Sequence, residues 1–108
     1  MAKKFYVTTA IDYVNAEPHI GHAYQKIIAD VLARWNKIQG KRVFFLTGTD
    51  EHGQKIARNA KKNKKTPKEF VDFLTPKFEQ SWKLLNIGFD KFFRTTDKEH
   101  EKKVQDFI

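Results

Sequence analysis

The chain has 108 residues, 21 Lys and Arg against 13 Asp and Glu for a net charge of +8, and no cysteine. That length holds one domain or part of one. The lack of cysteine excludes a disulfide framework and a Cys-based zinc site within it. No apolar stretch reaches the roughly 20 residues that a membrane helix requires, and the N-terminus carries no signal-peptide core, so no membrane partner and a cytoplasmic location are expected.

Phe5 to Ala10 reads as a first strand, and Ile11 to Pro18 as a loop ending in a proline near a first helical turn. A helix is predicted from Ile20 to Ile38. Ile20, Ala23, Ile27, Ile28, Val31, Leu32, Trp35 and Ile38 recur at the spacing of a stripe lying on a sheet, and Gly40 closes it. Val43 to Leu46 is a continuous apolar run, and Val43 to Thr47 is expected as a buried strand parallel to the first across a right-handed βαβ crossover. A further helix carries Ile56, Ala57 and Ala60.

The run Arg58, Lys61, Lys62, Lys64, Lys65 and Lys68 holds no acid and no aromatic residue. It reads as a solvated helix end and loop, although such charge could attract RNA. Thr66-Pro67-Lys68-Glu69 is a capping box opening a helix whose inward face is Phe70, Phe73, Leu74, Phe78, Trp82 and Leu85, with a kink or break at Pro76. Trp35 and Trp82 are both expected in the core. Lys91 to Arg94 is a short strand. Thr96-Asp97-Lys98-Glu99 is a second capping box, and Val104, Phe107 and Ile108 turn inward on the helix it opens. His100 is expected to be solvated there. That helix pattern reaches the last residue without a C-cap, as expected of an incomplete piece of a larger domain.

Two stretches carry chemistry. His19-Ile20-Gly21-His22 lies where the first strand gives way to the long helix. A helix N-terminus offers unpaired N–H groups and positive potential to a phosphate. Histidines three apart share a face from which both can donate, and Gly21 leaves room for close approach. A metal pair is the alternative, but no third ligand accompanies them. Thr47-Gly48-Thr49-Asp50-Glu51-His52-Gly53 follows the second strand, at the end where open α/β sheets bind ligands. Within it, Asp50 can cap the next helix, and His52 reads as a structural histidine.

The words Tyr13-Val14-Asn15-Ala16-Glu17-Pro18-His19-Ile20-Gly21-His22 and Leu46-Thr47-Gly48-Thr49-Asp50-Glu51-His52-Gly53 resemble the class I aminoacyl-tRNA synthetases, and among them the bacterial-type methionyl-tRNA synthetases. The resemblance runs from Lys4 to the end and covers only the opening part of such an enzyme. It implies the first half of a Rossmann-like (HUP-type) α/β fold in which methionine is activated with ATP and transferred to tRNA(Met). It implies that His19, Gly21 and His22 bind ATP and that the two histidines are catalytic. Asp50 is implied to hold the methionine ammonium, with Ala10, Ile11 and Tyr13 lining the methionine pocket. Mg2+ is expected with the nucleotide, and zinc, where present, lies outside this segment. Asp12 departs from the pattern, standing where related sequences carry proline or an aromatic residue. The alternatives are a stand-alone HxGH nucleotidyltransferase, a class I synthetase of the Leu, Ile, Val or Cys type, and a non-enzymatic basic RNA-binding or interaction protein.

Overall fold

Residues 2–108 are described in the computed structural model of the chain. In chain order the elements are β1 (Lys4–Thr8), β2 (Asp12–Tyr13), α1 (Ile20–Ile38), β3 (Arg42–Asp50), α2 (Gln54–Lys62), α3 (Pro67–Leu84), β4 (Lys91–Arg94) and α4 (Lys98–Phe107). All strand pairs are parallel, and β3 is central. β1 runs along one edge of β3, from Lys4 beside Arg42 to Thr8 beside Leu46. β4 runs along the other, from Leu46 beside Lys91 to Thr49 beside Arg94.

The expected first strand, Phe5 to Ala10, ends at Thr8, and a second short strand lies inside the expected loop. Carbonyls of Leu46 and Asp50 accept from Thr9 and Val14, whereas those of Phe45 and Thr49 accept from Asp90 and Thr95. Alternation along a strand therefore puts β2 on the same edge as β1. The register shifts by one residue between them, since Thr8 pairs with Leu46 but Asp12 pairs with Thr49. Residues 9–11 thus form a bulge. Before it, Phe5 and Val7 turn inward; after it, Asp12 and Val14 do, and both of these are buried. The second strand is longer than expected, because Gly48 to Asp50 extend it instead of leaving it as a loop.

The long helix has the predicted bounds, but its buried face is not the predicted stripe. Lys26, Ala29, Asp30, Ala33 and Asn36 are buried, while Ile20 is 87% exposed and Val31, Trp35 and Ile38 also lie outside. Trp35 is therefore not a core residue. Ala29 and Ala33 let the backbone approach the sheet closely. The polar residues beside them are satisfied: Asp30 accepts from Gly88 N at 2.8 Å and Asn36 donates to Leu32 O at 2.8 Å. The core instead draws its bulk from Val14, Phe45 and Ile56, with Phe70, Leu74, Phe78 and Trp82 of α3. Each such side chain contributes on the order of 1.5–3 kcal/mol.

Three further expectations are corrected. The helix α3 continues through Pro76 without a break, and its Phe73 and Leu85 stay exposed. Asp97, the N-cap of α4, makes no side-chain cap, because Thr96 Oγ1 donates to Glu51 and Asp97 Oδ2 accepts from Arg94 N. Finally, α4 buries no residue, and Val104, Phe107 and Ile108 are exposed. His100 is only half-buried and packs edge-on against Phe93. The first capping box forms only in half, with Thr66 Oγ1 accepting from Glu69 N at 3.2 Å while the Glu69 carboxylate meets the Thr66 hydroxyl at 3.1 Å. Among the described residues no helix is long and apolar enough to cross a membrane.

Candidate functional site

The helix-start part of the site is built by the two histidines on each other. His19 is the N-cap of α1, with the extended backbone of φ −133° and ψ 176°. Its Nδ1 accepts from Gly21 N at 3.1 Å, and His22 Nδ1 accepts from His19 N at 3.1 Å. This is a reciprocal capping box made from imidazoles in place of the usual Ser/Thr and Glu. With both Nδ1 atoms accepting, each neutral ring carries its proton on Nε2. Both remaining N–H donors are therefore available to a ligand. The rings stack with centroids 3.8 Å apart, and His22 packs edge-on against Phe78 at 5.4 Å. A Cβ on Gly21 would lie 2.9 Å from the His19 ring, so glycine is what lets His19 fold back over the first turn.

Partial burial holds the His22 imidazole below the ordinary histidine range. The Asp12 charge acts in the opposite sense, and His19 and Lys26 reinforce the lowering. The neutral donor form is thereby favoured near neutral pH.

The strand-end part is held from β4. Glu51 is buried, and its carboxylate accepts from Arg94 Nη2 at 2.6 Å and Nε at 2.8 Å. Thr49 Oγ1 donates to it at 2.7 Å and Thr96 Oγ1 at 3.2 Å. The Glu51 N–H donates to Thr95 Oγ1 at 2.8 Å. Arg94 also bonds Asp72 on α3 at 2.6 Å. The Glu51 contact first, and Asp72 with it, raises the Arg94 guanidinium above its ordinary range against the opposing effect of burial. The same residue and Lys68 hold the Asp72 carboxyl below the usual carboxylate range, Lys68 contributing most.

Asp50 sits between these structures with its carboxylate uncommitted: among the described residues it makes no side-chain hydrogen bond or ion pair. It does not cap α2. Gly53 is the N-cap there, at φ +140°, and no side chain caps the helix. Tyr13 pairs in register with Asp50, and a Cβ on Gly53 would fall 2.3 Å from the Tyr13 hydroxyl. Tyr13, Asp50 and Gly53 are thus brought together at the carboxyl end of the parallel strands. Ala10 and Ile11 ride on the exposed bulge just upstream.

One connection between the parts was not foreseen. Lys26 is completely buried on α1, and its Nζ donates to Asp12 Oδ1 at 2.9 Å and to Ala10 O at 3.2 Å. The departure at Asp12 is therefore matched by a cation inside the helix. The sequence signal was a single charge at position 26 in register with Ala29 and Ala33, which a stripe drawn through the large apolar residues passes over. Glu51 and Arg94 gave no comparable signal, because they are distant in the chain.

The model of the family described as tRNA synthetases class I (M) matches residues 5–108. Over 105 residues the chain is 56% identical to the methionine–tRNA ligase of Thermotoga maritima, covering 97% of this chain and 17% of that protein. It is 50% identical over 107 residues to the methionine–tRNA ligase of Deinococcus radiodurans, covering 98% and 16%. A solved structure of Mycobacterium tuberculosis methionyl-tRNA synthetase in complex with methionyl-adenylate superposes with a TM-score of 0.91 at 45% identity, covering 93% of this chain and 20% of that one. The chain spans about a sixth of the length of the curated relatives it matches.

Proposed function

The chain belongs to the class I (M) tRNA synthetases, and from that premise we propose that it supplies the first ATP- and methionine-facing part of a methionine–tRNA ligase. The observation that carries the reading is the pairing of Tyr13 with an uncommitted Asp50 at the carboxyl strand ends, beside a helix start that presents two Nε2–H donors. The likeness to a synthetase that holds methionyl-adenylate supports it.

In this reading the methionine carboxylate attacks the α-phosphorus of ATP. A carboxylate O–P bond forms, the bond to the β-phosphate oxygen breaks, and pyrophosphate leaves with the electron pair. His19 and His22 donate through Nε2–H to phosphate oxygens as charge moves toward the leaving group. Asp50 takes the methionine ammonium, and the Ala10, Ile11 and Tyr13 wall takes the side chain. Positioning and charge stabilisation carry the rate, with no covalent bond to the protein. Among the described residues no three His, Cys, Asp or Glu side chains gather as a metal cage. Magnesium would arrive on the triphosphate, and no step here is assigned to it. The methionyl group of the adenylate is then transferred to a hydroxyl of tRNA(Met), with AMP as the leaving group, by the longer protein, which acts in the cytoplasm.

The test is a hybrid in which this chain replaces the matching residues of the Thermotoga maritima relative. It should catalyse methionine-dependent ATP–pyrophosphate exchange, and leucine, isoleucine, valine or cysteine should not replace methionine. Exchange that needs no amino acid would instead favour a simple nucleotidyltransferase.

A further inference from the structure

We infer that Lys26 and Asp12 are a positioning pair: a charge placed inside α1 fixes the bulged wall of residues 9–11 and Tyr13 against the helix turn that carries His22. The catalytic consequence rests on the methionine-activating reading above, whereas the positioning itself does not.

A bulge is where a strand loses its ladder. Between the bonds Thr9 N to Leu46 O and Val14 N to Asp50 O, the regular pairing of β1 with β3 is interrupted. The Ala10 carbonyl faces no strand N–H there. It accepts instead from Thr9 Oγ1 at 2.8 Å and from Lys26 Nζ at 3.2 Å. A side chain from the helix thus takes the place of the missing ladder bond. The same ammonium bonds Asp12 Oδ1 at 2.9 Å, and it lies 5.6 Å from the Trp82 ring centroid. Trp82 packs on Phe78, and Phe78 packs on His22. Lys26 follows His22 by one helical turn, so its ammonium ties the pocket wall and the phosphate-facing turn into one body.

The chemistry is a poor bargain for stability alone. A buried ion pair recovers little more than its desolvation cost, and well-packed apolar residues of like volume commonly serve as well or better. Asp12 Oδ2 is also buried without a partner, a further penalty. Directional bonds to Ala10 O and Asp12 do what an apolar pair cannot, which is to fix where the backbone lies. The Asp12 charge also reaches His22 and opposes the burial that keeps its ring neutral.

The experiment uses the hybrid ligase described above, with two variants. Lys26→Gln should raise amide hydrogen exchange in peptides spanning residues 9–15 about tenfold, with residues 42–48 of β3 unchanged. It should also raise the methionine KM about tenfold while the ATP KM moves by less than about threefold. That variant leaves Asp12 buried without its cation, at a cost to folding, so Lys26→Met with Asp12→Leu serves as the second. It should keep the melting temperature yet show the same local exchange and the same methionine KM defect. Parental protection at residues 9–15 and a parental methionine KM in the double variant would reduce the pair to a structural filler and overturn the inference. If the unaltered hybrid shows no methionine-dependent exchange, the functional reading fails, while amide protection at residues 9–15 still judges the pair.

Discussion

The two parts of the site are held in opposite ways. The helix start is local: His19, Gly21 and His22 bond to one another within four residues, half exposed, with Phe78 as the outside contact. The strand end is long-range: Glu51 is buried, and its partners Arg94, Thr95 and Thr96 come from more than 40 positions away. The imidazoles of a locally closed turn can swing onto a ligand without breaking a sheet bond. A cross-linked strand end cannot. In the proposed reaction the phosphate donors would therefore sit on the compliant part, and the carboxylate that would fix the amino acid on the rigid one.

The largest effect should come from breaking the rigid part. Arg94→Met strands the Glu51 carboxylate in the interior and should cost about 3 kcal/mol or more in denaturant unfolding of the chain. Adding Glu51→Leu should recover most of that loss. If the single variant unfolds at the parental midpoint, the strand end is not held as described.

The compliant part should show the reverse balance. In the hybrid ligase, His22→Ala should lower methionine-dependent exchange on the order of a hundredfold, since it removes a donor aimed at developing charge. Its stability cost should be only about 1 kcal/mol, the usual worth of a lost cap. A stability loss as large as that of Arg94→Met would erase the distinction between the two parts.

Asp50→Asn sharpens the comparison inside the rigid part. Among the described residues Asp50 caps no helix and pairs with no cation, so the melting temperature should stay near the parental value. Methionine affinity should fall by about ten- to a hundredfold, the worth of a charge-assisted hydrogen bond. Methionine affinity that survives the change would remove Asp50 from the site.

The smallest effect is on pH dependence. The folded-state lowering at His22 means that the neutral ring is preferred in the native chain. This contribution is complete above the ordinary histidine value of 6.5 and is lost as the pH falls below it through the lowered folded value. His22→Gln should therefore flatten part of the stability loss on acidification from pH 7 toward pH 5, read as melting temperature against pH. An unchanged slope would mean that His22 titrates as if unfolded.

Sequence reading went furthest where a pattern is local. The bounds of α1, the Thr66 cap and the Lys91–Arg94 strand were all legible, because propensity, capping and apolar runs act over a few residues. The helix start at His19 to His22 was legible for the same reason. Which face of α1 turns inward was not. Large apolar residues drew the stripe, whereas close packing on the sheet selected Ala29 and Ala33 and buried Lys26 with its partners. The second capping box failed similarly: Thr96 spends its hydroxyl on Glu51, a bond that no short window contains. Asp50 looked like a cap because a helix follows closely, but β3 runs on through it and Gly53 makes the turn.

The bulge at residues 9–11 has a last consequence, for insertions and deletions. A surface loop tolerates the loss of one residue as a small shortening. Here the extra residue is what moves the inward positions from odd numbers to even ones along one strand. Regular pairing carried through these residues at their present number would exchange the faces of everything after them, so that Tyr13 would point into the core and Asp12 toward solvent, whereas deleting Ala10 would restore an unbroken ladder with Asp12 and Val14 still inward and remove the bulge that Lys26 holds. The one extra residue thus obliges the chain to bulge: a relative that keeps it must keep the bulge, and a relative one residue shorter should show the same inward faces on an unbroken ladder.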